Sequence, residues 1–355
     1  MSYAVVATEI PSGSRGLAPA RSELGRDVLD RSPSRPYSGS MPAVSVVIPT
    51  FERLDVLPEV LAGLAAQRAA PDFEVVVVDD GSRDATGDFL ARYGGPLALT
   101  VLRQPNRGPA AARNAGVAAA RGDLLAFLGD DTVPEPGWLA AHAAAHAARR
   151  ERGPLAVIGY TGWHPRMRMT PFLRYINEHG LQFGYALIDE PEKVPFNFFY
   201  TSNVSLPRAL LLADRFDLRF PHAAWEDVEL SYRLHARGLT MVYEPLARTG
   251  HLHPTDFARF CRRQEKAGES AVVFYRLHPE LGGFLGLSEQ GPPPLPPPRS
   301  QRLRELVVRA LQNLPVRTPR LWDETLRHYY IRGLRRGWER MGGVPPRGDE
   351  RSWAA

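Results

Sequence analysis

The sequence has little cysteine and no long apolar run, and each shortage excludes a class of protein. Cys261 is the one cysteine among 355 residues, so neither an intrachain disulfide nor a cysteine-rich metal cluster can form. No apolar stretch approaches the roughly 20 residues that cross a bilayer, and the N-terminus lacks the basic-then-apolar order of a signal peptide. We therefore expect a globular protein of a reducing compartment, the cytoplasm.

The two ends of the chain differ in composition from its middle. Residues 1–42 are rich in Ser, Arg, Pro and Gly without a sustained period, which predicts a disordered leader. A start codon at Met41 is an equally simple explanation of this segment. Residues 286–300 contain "GPPPLPPPRS", a proline-rich linker.

The positive net charge of +5 comes largely from arginines near the C-terminus. Residues 301–345 contain "RLRELVVRALQNL" and "LWDETLRHYYIRGLRRGWER", which read as basic amphipathic helices suited to an anionic membrane surface or to a partner. Arg302, Arg304 and Arg309 are the candidates for membrane attachment. The tail lacks a recognised nucleic-acid motif, so we expect no nucleic-acid partner.

Between these ends, strands and helices alternate. "VSVVIP", "FEVVVVDD", "LALTVLR" and "DLLAFLGDD" read as buried strands, separated by helical patterns over 54–67 and 109–121. Right-handed crossovers would build an α/β fold with a mostly parallel sheet, flanked by helices, whose strands end at one shared edge. Later strands are predicted at "LAVIGY" and "LTMVYEP" and a helix over 227–237, while the irregular stretch 161–200 is expected to hold specificity and a mobile cover.

Asp130 and Asp131 follow the strand "LLAFL" directly. They could cap the helix that starts near Pro136, since acidic residues favour helix N-termini. One carboxylate would suffice for a cap, whereas two at the end of a buried strand suit a hard cation such as Mg²⁺ or Mn²⁺. We favour the cation.

Two further segments end at the same predicted edge. "PTFER" and "VVDDGSRD" form a plausible nucleotide pocket in which Asp80 accepts a hydrogen bond from a base or ribose. "NRGPAAARNAG" opens a helix and carries Arg113, which either lies on a solvated face or meets a diphosphate. Spacing alone leaves both interpretations of Arg113 open.

The segment "WEDVELSYRL" places Glu226 and Asp227 at a helix start. Negative charge there complements the helix dipole, so a purely structural role would explain both residues. Trp225 adds a stacking platform for a sugar and an apolar neighbour that can raise a carboxylate's pKa toward the range of a general base. In "GHLHP", one imidazole could reach the same edge. His142 and His146 stand at i, i+4, but the other groups of a zinc motif are missing, so we read them as a solvated helix face.

Taken in order, these segments together with "TSNVSL" resemble the family 2 glycosyltransferases of the GT-A fold. The resemblance runs from about Val44 to about Gly268. It implies a GT-A domain over 43–285, with a nucleotide-binding half at 43–132 and an acceptor half at 133–285. It also implies an inverting transferase that uses a nucleotide-diphosphate sugar and a divalent cation, Mn²⁺ or Mg²⁺.

The resemblance also implies roles for individual residues. Asp131 matches the metal-binding aspartate of the family's Asp-x-Asp motif, and His251 matches a histidine that completes the metal site, with His253 as the runner-up. Gly129 departs from that motif and leaves Asp130 to the ribose or the metal shell. The remaining matches are Asp227 as base beside Glu226; Pro49, Thr50, Glu52, Asp80 and Arg113 for the donor; and Trp225 and Asn203 for the acceptor.

The resemblance leaves two classes of function open. The first is a sugar transferase on the cytoplasmic face of the membrane, acting on a glycan or lipid-linked acceptor in cell-envelope synthesis. The second is a non-catalytic binding or scaffold protein of the same fold, which Gly129 favours. A nucleotidyltransferase would need a glycine-rich phosphate loop near the N-terminus, and "IPTFER" is not one.

Overall fold

A computed structural model describes residues 30–33, 42–295, 303, 306, 307 and 319–343 of the chain. Within these residues, nine strands form one sheet. They are β1 Asp30–Pro33, β2 Val44–Thr50, β3 Phe73–Asp79, β4 Leu99–Arg103, β5 Leu124–Leu128, β6 Thr132–Pro134, β7 Leu155–Trp163, β8 Asn203–Pro207 and β9 Thr240–His251.

The strand order across the sheet is β1-β4-β3-β2-β5-β8-β7-β9-β6. Strands β4, β3, β2 and β5 run parallel, as do β7 and β9, whereas β8 runs antiparallel between β5 and β7. The predicted α/β fold with a mostly parallel sheet is confirmed. Strand β8 was not predicted, and it is the strand that joins the two halves of the sheet.

Ten α-helices have both ends within the described residues. They are α1 Leu57–Ala65, α2 Thr86–Ala91, α3 Pro109–Ala119, α4 Trp138–Ala148, α5 Pro171–Glu178, α6 Arg208–Ala213, α7 Glu226–His235, α8 Phe257–Leu277, α9 Gly282–Leu285 and α10 Pro319–Arg340. Short 3-10 helices lie at Arg150–Arg152, Tyr185–Leu187, Phe196–Phe198 and Pro279–Leu281. Helix α5 falls within the stretch 161–200 that the sequence left irregular.

The sheet is covered on both faces, which explains its continuous apolar strands. Because side chains alternate along a strand, Val46 and Ile48 pack with α1, α2 and α4, while Val47 packs with α3, α6 and α7. All three valine and isoleucine side chains are fully buried. Burial of each contributes about 1.5–3 kcal/mol to folding.

Parallel strands β2, β3 and β5 end at the same edge of this covered sheet. Thr50 pairs with Asp79 in the register of β2 and β3, and Val47 pairs with Phe127 of β5. The loops that follow these strands therefore begin side by side. This arrangement brings the predicted aspartates at 80, 130 and 131 to one edge.

Helices α8 and α10 pack together through glycines. A Cβ atom on Gly268 would lie 2.2 Å from the carbonyl oxygen of Tyr330, and one on Gly333 would lie 1.9 Å from that of Glu265. The two backbones can approach this closely only because both residues lack a side chain. Trp322 and Leu334 of α10 are buried in the same contact, so α10 is part of the folded body.

Strand β1 lies inside the segment 1–42 that the sequence predicted to be disordered. It pairs antiparallel with β4, with Asp30 opposite Arg103. The outer edge of β4 offers unpaired backbone groups that an extended segment can meet, and a proline is tolerated in such an edge strand. The rest of the leader up to residue 41 lies outside the described residues.

The predicted linker and tail are covered only in part. Residues 286–295 are described, whereas 296–302 and 308–318 are not, so the first predicted tail helix falls largely outside the described residues. The second predicted tail helix is confirmed as α10. Among the residues that the structure describes, no helix combines the length and the apolar character needed to span a bilayer.

Candidate active site

A cleft of about 900 Å³ lies over the shared edge of the sheet. This volume falls within the range of small-molecule sites, about 300–1,000 Å³. The loops after β2, β3 and β5, the start of α7, the end of β9 and one side of α8 all contribute to it. Its lining includes Pro49, Thr50, Arg53, Asp80, Arg113, Asp130, Asp131, Trp225, Glu226, Asp227, His251 and His253.

Asp131, His251 and His253 form a group that could hold a metal ion. One donor atom from each lies within 4.8 Å of the others, and ligands on opposite sides of an ion with bonds of about 2.2 Å are about 4.4 Å apart. The two imidazole rings are stacked, with centroids 5.3 Å apart. The residues present therefore fit a divalent cation, and both histidines of "GHLHP" belong to the group.

Strand pairing brings this group together across more than a hundred residues. Thr132, next to Asp131, pairs with His251 in the antiparallel register of β6 and β9. Burial alone would raise the pKa of Asp131, but His251, His253 and Arg53 outweigh it and hold the pKa well below its usual value. The carboxylate is thus ionised and ready to act as a ligand.

Arg53 is the site residue that the sequence did not single out. Its Nη2 atom lies 3.0 Å from Asp131 Oδ2 and 3.1 Å from His253 Nδ1, and its Nε lies 3.6 Å from Asp130 Oδ1. Arg53 belongs to the segment "PTFER", but that pattern does not indicate which residues Arg53 contacts in the fold. The structure makes Arg53 the positive charge between the paired aspartates.

The neighbouring Asp130 differs from Asp131 in its environment. Burial raises the pKa of Asp130 to about 7, and the charge of Asp131 adds to the effect while Arg53 opposes it. The two neighbouring carboxyl groups, Asp130 and Asp131, therefore have pKa values shifted in opposite directions. Asp130 lines the cleft beside Thr50, and its predicted contact with a ribose stays a prediction.

Gly129, which the resemblance aligns with the first aspartate of the motif, lies in a tight turn. A Cβ atom at this position would lie 2.6 Å from Thr132 Oγ1 and 3.2 Å from Asp131 Oδ1. Thr132 is fully buried and its backbone N–H donates to the carbonyl of Gly129 at 3.1 Å. This tight turn leaves no space for a carboxylate at residue 129.

Asp227 and Glu226 begin α7 but have different partners. Asp227 lines the cleft, and its Oδ2 lies 3.4 Å from both the amide nitrogen and the hydroxyl of Thr201. Glu226 is buried, and its Oε1 accepts from Arg113 Nη1 at 2.8 Å. Burial and the adjacent Asp227 raise the pKa of Glu226, whereas Arg113 lowers it. The other oxygen of Asp227, Oδ1, accepts from the backbone N–H of Val228 at 2.9 Å, so Oδ2 is the weakly held oxygen of this carboxylate.

Trp225 forms part of the cleft wall in a constrained conformation. Its φ is 73°, in the left-handed region that costs a bulky residue energy. The indole Nε1 donates to the carbonyl of Ala267 on α8 at 3.0 Å. That bond anchors the ring, and the half-buried side chain still lines the cleft.

Four of the five residues predicted for the donor line the cleft, namely Pro49, Thr50, Asp80 and Arg113. Pro49 and Thr50 line the cleft at the end of β2. Asp80 also lines it, but its carboxylate already accepts from the backbone N–H of Arg107 at 2.9 Å and of Gly108 at 2.8 Å. Asp80 therefore orders the turn that leads into α3. A bound base or ribose would share the Asp80 carboxylate with these backbone groups.

The structure does not bring Glu52 to the cleft. Its side chain is exposed and absent from the cleft lining. The residue has a left-handed φ of 53°, and its backbone N–H donates to Ser82 Oγ at 2.9 Å. This turn brings the next residue, Arg53, into the cleft instead, so the predicted donor contact of Glu52 is not supported.

Asn203 was predicted to bind the acceptor, but its side chain lies at the centre of a buried hydrogen-bond network. Its side-chain oxygen accepts from Trp138 Nε1 at 2.7 Å and lies 2.9 Å from His142 Nε2, while its amide nitrogen donates to Ala247 O at 2.9 Å. Asn203 is fully buried and does not line the cleft. With its amide fully engaged, it joins β8 to β9 and α4.

The predicted solvated face at His142 and His146 is also wrong. His142 is fully buried, and its Nδ1 lies 2.8 Å from Ser205 Oγ. His146 Nε2 lies 2.9 Å from the same hydroxyl. Burial lowers the pKa of both histidines to about 4, so both are neutral and serve the packing of α4 on β8.

One side of α8 supplies cationic residues that the sequence analysis missed. Arg259, Arg262, Arg263 and Lys266 all line the cleft, and their spacing places them on one helical face. Arg263 is exposed, but partial desolvation in the cleft lowers the pKa of its guanidinium, while the carboxylates of Asp131 and Asp227 act in the opposite direction. A single guanidinium thus experiences both the metal group and Asp227. The i, i+3, i+4, i+7 spacing was the available signal.

The fold and this cleft define a class of protein, the α/β proteins with a cleft at the carboxyl edge of a mixed sheet, here beside a candidate metal group. The chain belongs to glycosyltransferase family 2: the model described as Glycosyl transferase family 2 matches residues 45–204, and two relatives at 32% and 30% identity are named as glycosyltransferases. The sequence-based resemblance to this family and to the GT-A fold is thereby confirmed.

Relatives support the same assignment. The chain is 32% identical over 273 residues to validoxylamine A glucosyltransferase of Streptomyces hygroscopicus subsp. limoneus, which covers 68% of this chain and 58% of that protein. It is 30% identical over 280 residues to pre-mycofactocin glycosyltransferase of Mycobacterium tuberculosis, which covers 75% of this chain and 55% of that protein. The chain thus spans little more than half the length of these relatives.

A solved structure shows the same fold. The mannosyltransferase PcManGT from Pyrobaculum calidifontis, solved with GDP-Man and Mn²⁺, has a TM-score of 0.56 and 18% identity. The match covers 86% of this chain and 91% of that one. At this level of identity the likeness concerns the fold.

Proposed function

We propose that this protein transfers a sugar from a nucleotide-diphosphate donor to an acceptor hydroxyl with inversion at the anomeric carbon. The observation that carries the proposal is that Asp227 shares one cleft with the Asp131, His251 and His253 group. The names of the relatives, both glycosyltransferases, support it, as does the GDP-Man in the structural neighbour.

Asp227 is the proposed general base. Its Oδ2 makes only long contacts of 3.4 Å with Thr201, so that oxygen can take a proton from an acceptor hydroxyl. The hydroxyl oxygen then forms the new bond to the anomeric carbon as the bond to the diphosphate breaks on the opposite face. Glu226 is unsuited to this role because Arg113 holds it at 2.8 Å; it is a positioning residue for Asp227.

The candidate metal group would hold the cation near the donor diphosphate. When bound, a divalent cation supplies positive charge that offsets the charge on the departing diphosphate. Two imidazoles beside one carboxylate suit Mn²⁺ better than Mg²⁺, because Mg²⁺ is bound almost entirely through oxygen. The Mn²⁺ in the structural neighbour supports this choice.

The two sides of the cleft suggest where each substrate binds. Thr50 and Asp80 lie at the ends of β2 and β3, where ligands of such sheets bind, and we assign the nucleoside to them. Trp225 offers its ring to a sugar of the acceptor. A glycan or lipid-linked acceptor of the cell envelope, reached at the inner face of the membrane, stays a prediction from the sequence.

The test is a panel of nucleotide-diphosphate sugars with Mn²⁺, assayed for donor hydrolysis and for transfer to an acceptor. The anomeric configuration of the product should be inverted when it is examined by NMR. Asp227→Asn should bind the donor but lose turnover. Retention of configuration, or full turnover by the Asp227→Asn protein, would refute the proposed mechanism.

A second candidate function is binding without catalysis, and one observation favours it. Arg53 lies against Asp131 and His253, so the protein's own guanidinium neutralises the group that would hold the cation. A scaffold protein would bind a nucleotide diphosphate without Mn²⁺ and turn over no donor. Calorimetry with UDP and GDP, with and without Mn²⁺, distinguishes this candidate from the enzyme.

A further inference from the structure

Arg53 and a divalent cation compete for the same partners in the candidate metal group. The three atoms Arg53 Nη2, Asp131 Oδ2 and His253 Nδ1 lie 2.9–3.1 Å from one another. A cation bound through Asp131 Oδ2 and His253 Nδ1 would draw on the same lone pairs. A cation and the guanidinium would then be two positive charges close together in a half-enclosed cleft, where their repulsion would be substantial.

The valence of His253 makes the competition specific. Arginine has only hydrogen-bond donors, and a neutral imidazole has one acceptor nitrogen. If Nδ1 accepts from Arg53, its lone pair is occupied; if Nδ1 carries the proton, it donates to Asp131 at 2.9 Å. In both tautomers a metal ion gains Nδ1 only after the present contact is broken.

Arg53 can leave by rotation of its side chain alone. Its backbone N–H donates to Thr86 Oγ1 at 3.1 Å, and the preceding residue is held by Ser82 Oγ at 2.9 Å, so the main chain is fixed. The guanidinium is a quarter exposed and lines the cleft. A diphosphate in the cleft would offer it a bidentate partner of the same charge as the carboxylates it leaves.

We propose that Arg53 is an exchangeable counter-ion of this group: it neutralises Asp130 and Asp131 when no cation is bound, and it moves to the diphosphate when cation and donor bind together. The proposal rests on the proposed function, because it takes Asp131, His251 and His253 as the cation site. It predicts that cation and nucleotide diphosphate strengthen each other's binding, and that Arg53 carries much of this coupling.

The test is a titration of the protein with Mn²⁺, followed by the EPR signal of the free ion, with and without UDP or GDP. Arg53→Met should bind Mn²⁺ about tenfold more tightly than the wild type in the absence of nucleotide, which is about 1.4 kcal/mol. Arg53→Lys, which keeps the charge but not the planar fork, should lie between them. The gain in Mn²⁺ affinity on adding a nucleotide diphosphate should be smaller in Arg53→Met than in the wild type.

Arg262→Met is the matched control, because it removes a positive charge from an exposed residue of the cleft wall that is not one of the three metal-group residues. Its Mn²⁺ affinity should stay close to that of the wild type. Equal tightening in both methionine variants would mean a general field effect and overturn the proposal, as would unchanged or weaker binding in Arg53→Met and Arg53→Lys. If Asp131→Asn leaves Mn²⁺ affinity unchanged, the metal site itself is wrong, whereas transfer assays report on the function separately.

Discussion

Arg113 and Glu226 form a buried ion pair that joins the two halves of the cleft. Arg113 Nη1 lies 2.8 Å from Glu226 Oε1, and the two side chains are only 12% and 4% exposed. Arg113 belongs to α3, on the side proposed to bind the nucleotide, and Glu226 begins α7, next to the proposed base. The pair therefore fixes the position of Asp227 relative to the donor side of the site.

Breaking this pair should destabilise the protein strongly. Arg113→Met leaves the Glu226 carboxylate buried without its main partner, which costs about 3–5 kcal/mol in the free energy of unfolding. The double variant Arg113→Met/Glu226→Gln should recover most of that loss, since no buried charge remains. Urea unfolding measures the free energy of unfolding of both variants. The control is Arg152→Met, which removes an exposed ion pair with Glu192 and should cost about 0–1 kcal/mol. A single-variant loss as small as the control would contradict the structural role.

Removing the proposed base should abolish most turnover while leaving the fold intact. Asp227→Asn keeps the size of the side chain but cannot accept the proton, so we expect a fall in kcat of about 10²–10⁴-fold with little change in donor affinity. Asp189→Asn, at an exposed position outside the cleft, is the control. Initial rates of transfer and donor binding by calorimetry give the two quantities; wild-type kcat in Asp227→Asn would remove Asp227 from the mechanism.

The buried His142 should make stability depend on pH. Burial lowers its pKa from 6.5 to about 4 in the folded protein, so the unfolded chain takes up a proton at a higher pH than the folded one. The stabilisation is complete above about pH 6.5 and is lost as the pH falls toward 4, a loss on the order of 3 kcal/mol.

Urea unfolding across this pH range tests the role of His142. The variant His142→Gln should be less stable at neutral pH, because it loses a packed hydrogen-bonded ring, but its stability should decline less between pH 6.5 and 4.5. NMR titration of the ring in the wild type gives the folded pKa directly. An identical pH dependence in both proteins would show that His142 does not titrate as its burial requires.

Asn203 should act on stability and not on acceptor binding. Asn203→Leu leaves Trp138 Nε1 and His142 without their shared acceptor in a fully buried position, at a cost of about 2–5 kcal/mol. Asn203→Ser is a milder change suited to kinetics. We expect it to lower the unfolding midpoint without raising the acceptor KM; a raised KM at unchanged stability would restore the acceptor role expected from the sequence.

The sequence predicted the elements whose pattern is local. Continuous apolar strands and the alanine-rich helix at 109–119 depend on short-range periodicity, and Asp131 could be placed at a strand end for the same reason. Strand β8 could not, because "NVSLP" is stabilised by insertion between β5 and β7, a contact between distant segments. The errors at Asn203 and His142 have the same origin, since each side chain is defined by a partner about 60 residues away.

The roles of the arginines were the least predictable feature. The sequence left Arg113 open between a diphosphate contact and a solvated face and did not single out Arg53, yet the two have carboxylate partners 113 and 78 positions away. Spacing reports which face of an element a charge occupies, but not which charge the fold will bring opposite to it. The same applies to α8, whose cations face the cleft while Glu265 and Glu269 face α10.

Helix α10 should contribute little to membrane attachment, contrary to the use suggested by its composition. Arg336 lies 2.7 Å from Glu265 and Arg340 lies 2.8 Å from Glu269, so these guanidinium groups already have acidic partners on α8. Arg336→Gln/Arg340→Gln should therefore lower thermal stability but leave cosedimentation with phosphatidylglycerol vesicles unchanged.

Gly333→Leu should release α10 from α8, because its Cβ would meet the Glu265 carbonyl. Vesicle binding should then increase and should be sensitive to salt. A triple variant of Arg302, Arg304 and Arg309, which lie outside the described residues, tests the remaining basic segment in the same assay. If the Arg336→Gln/Arg340→Gln variant alone abolishes cosedimentation, α10 binds the membrane despite its acidic partners on α8.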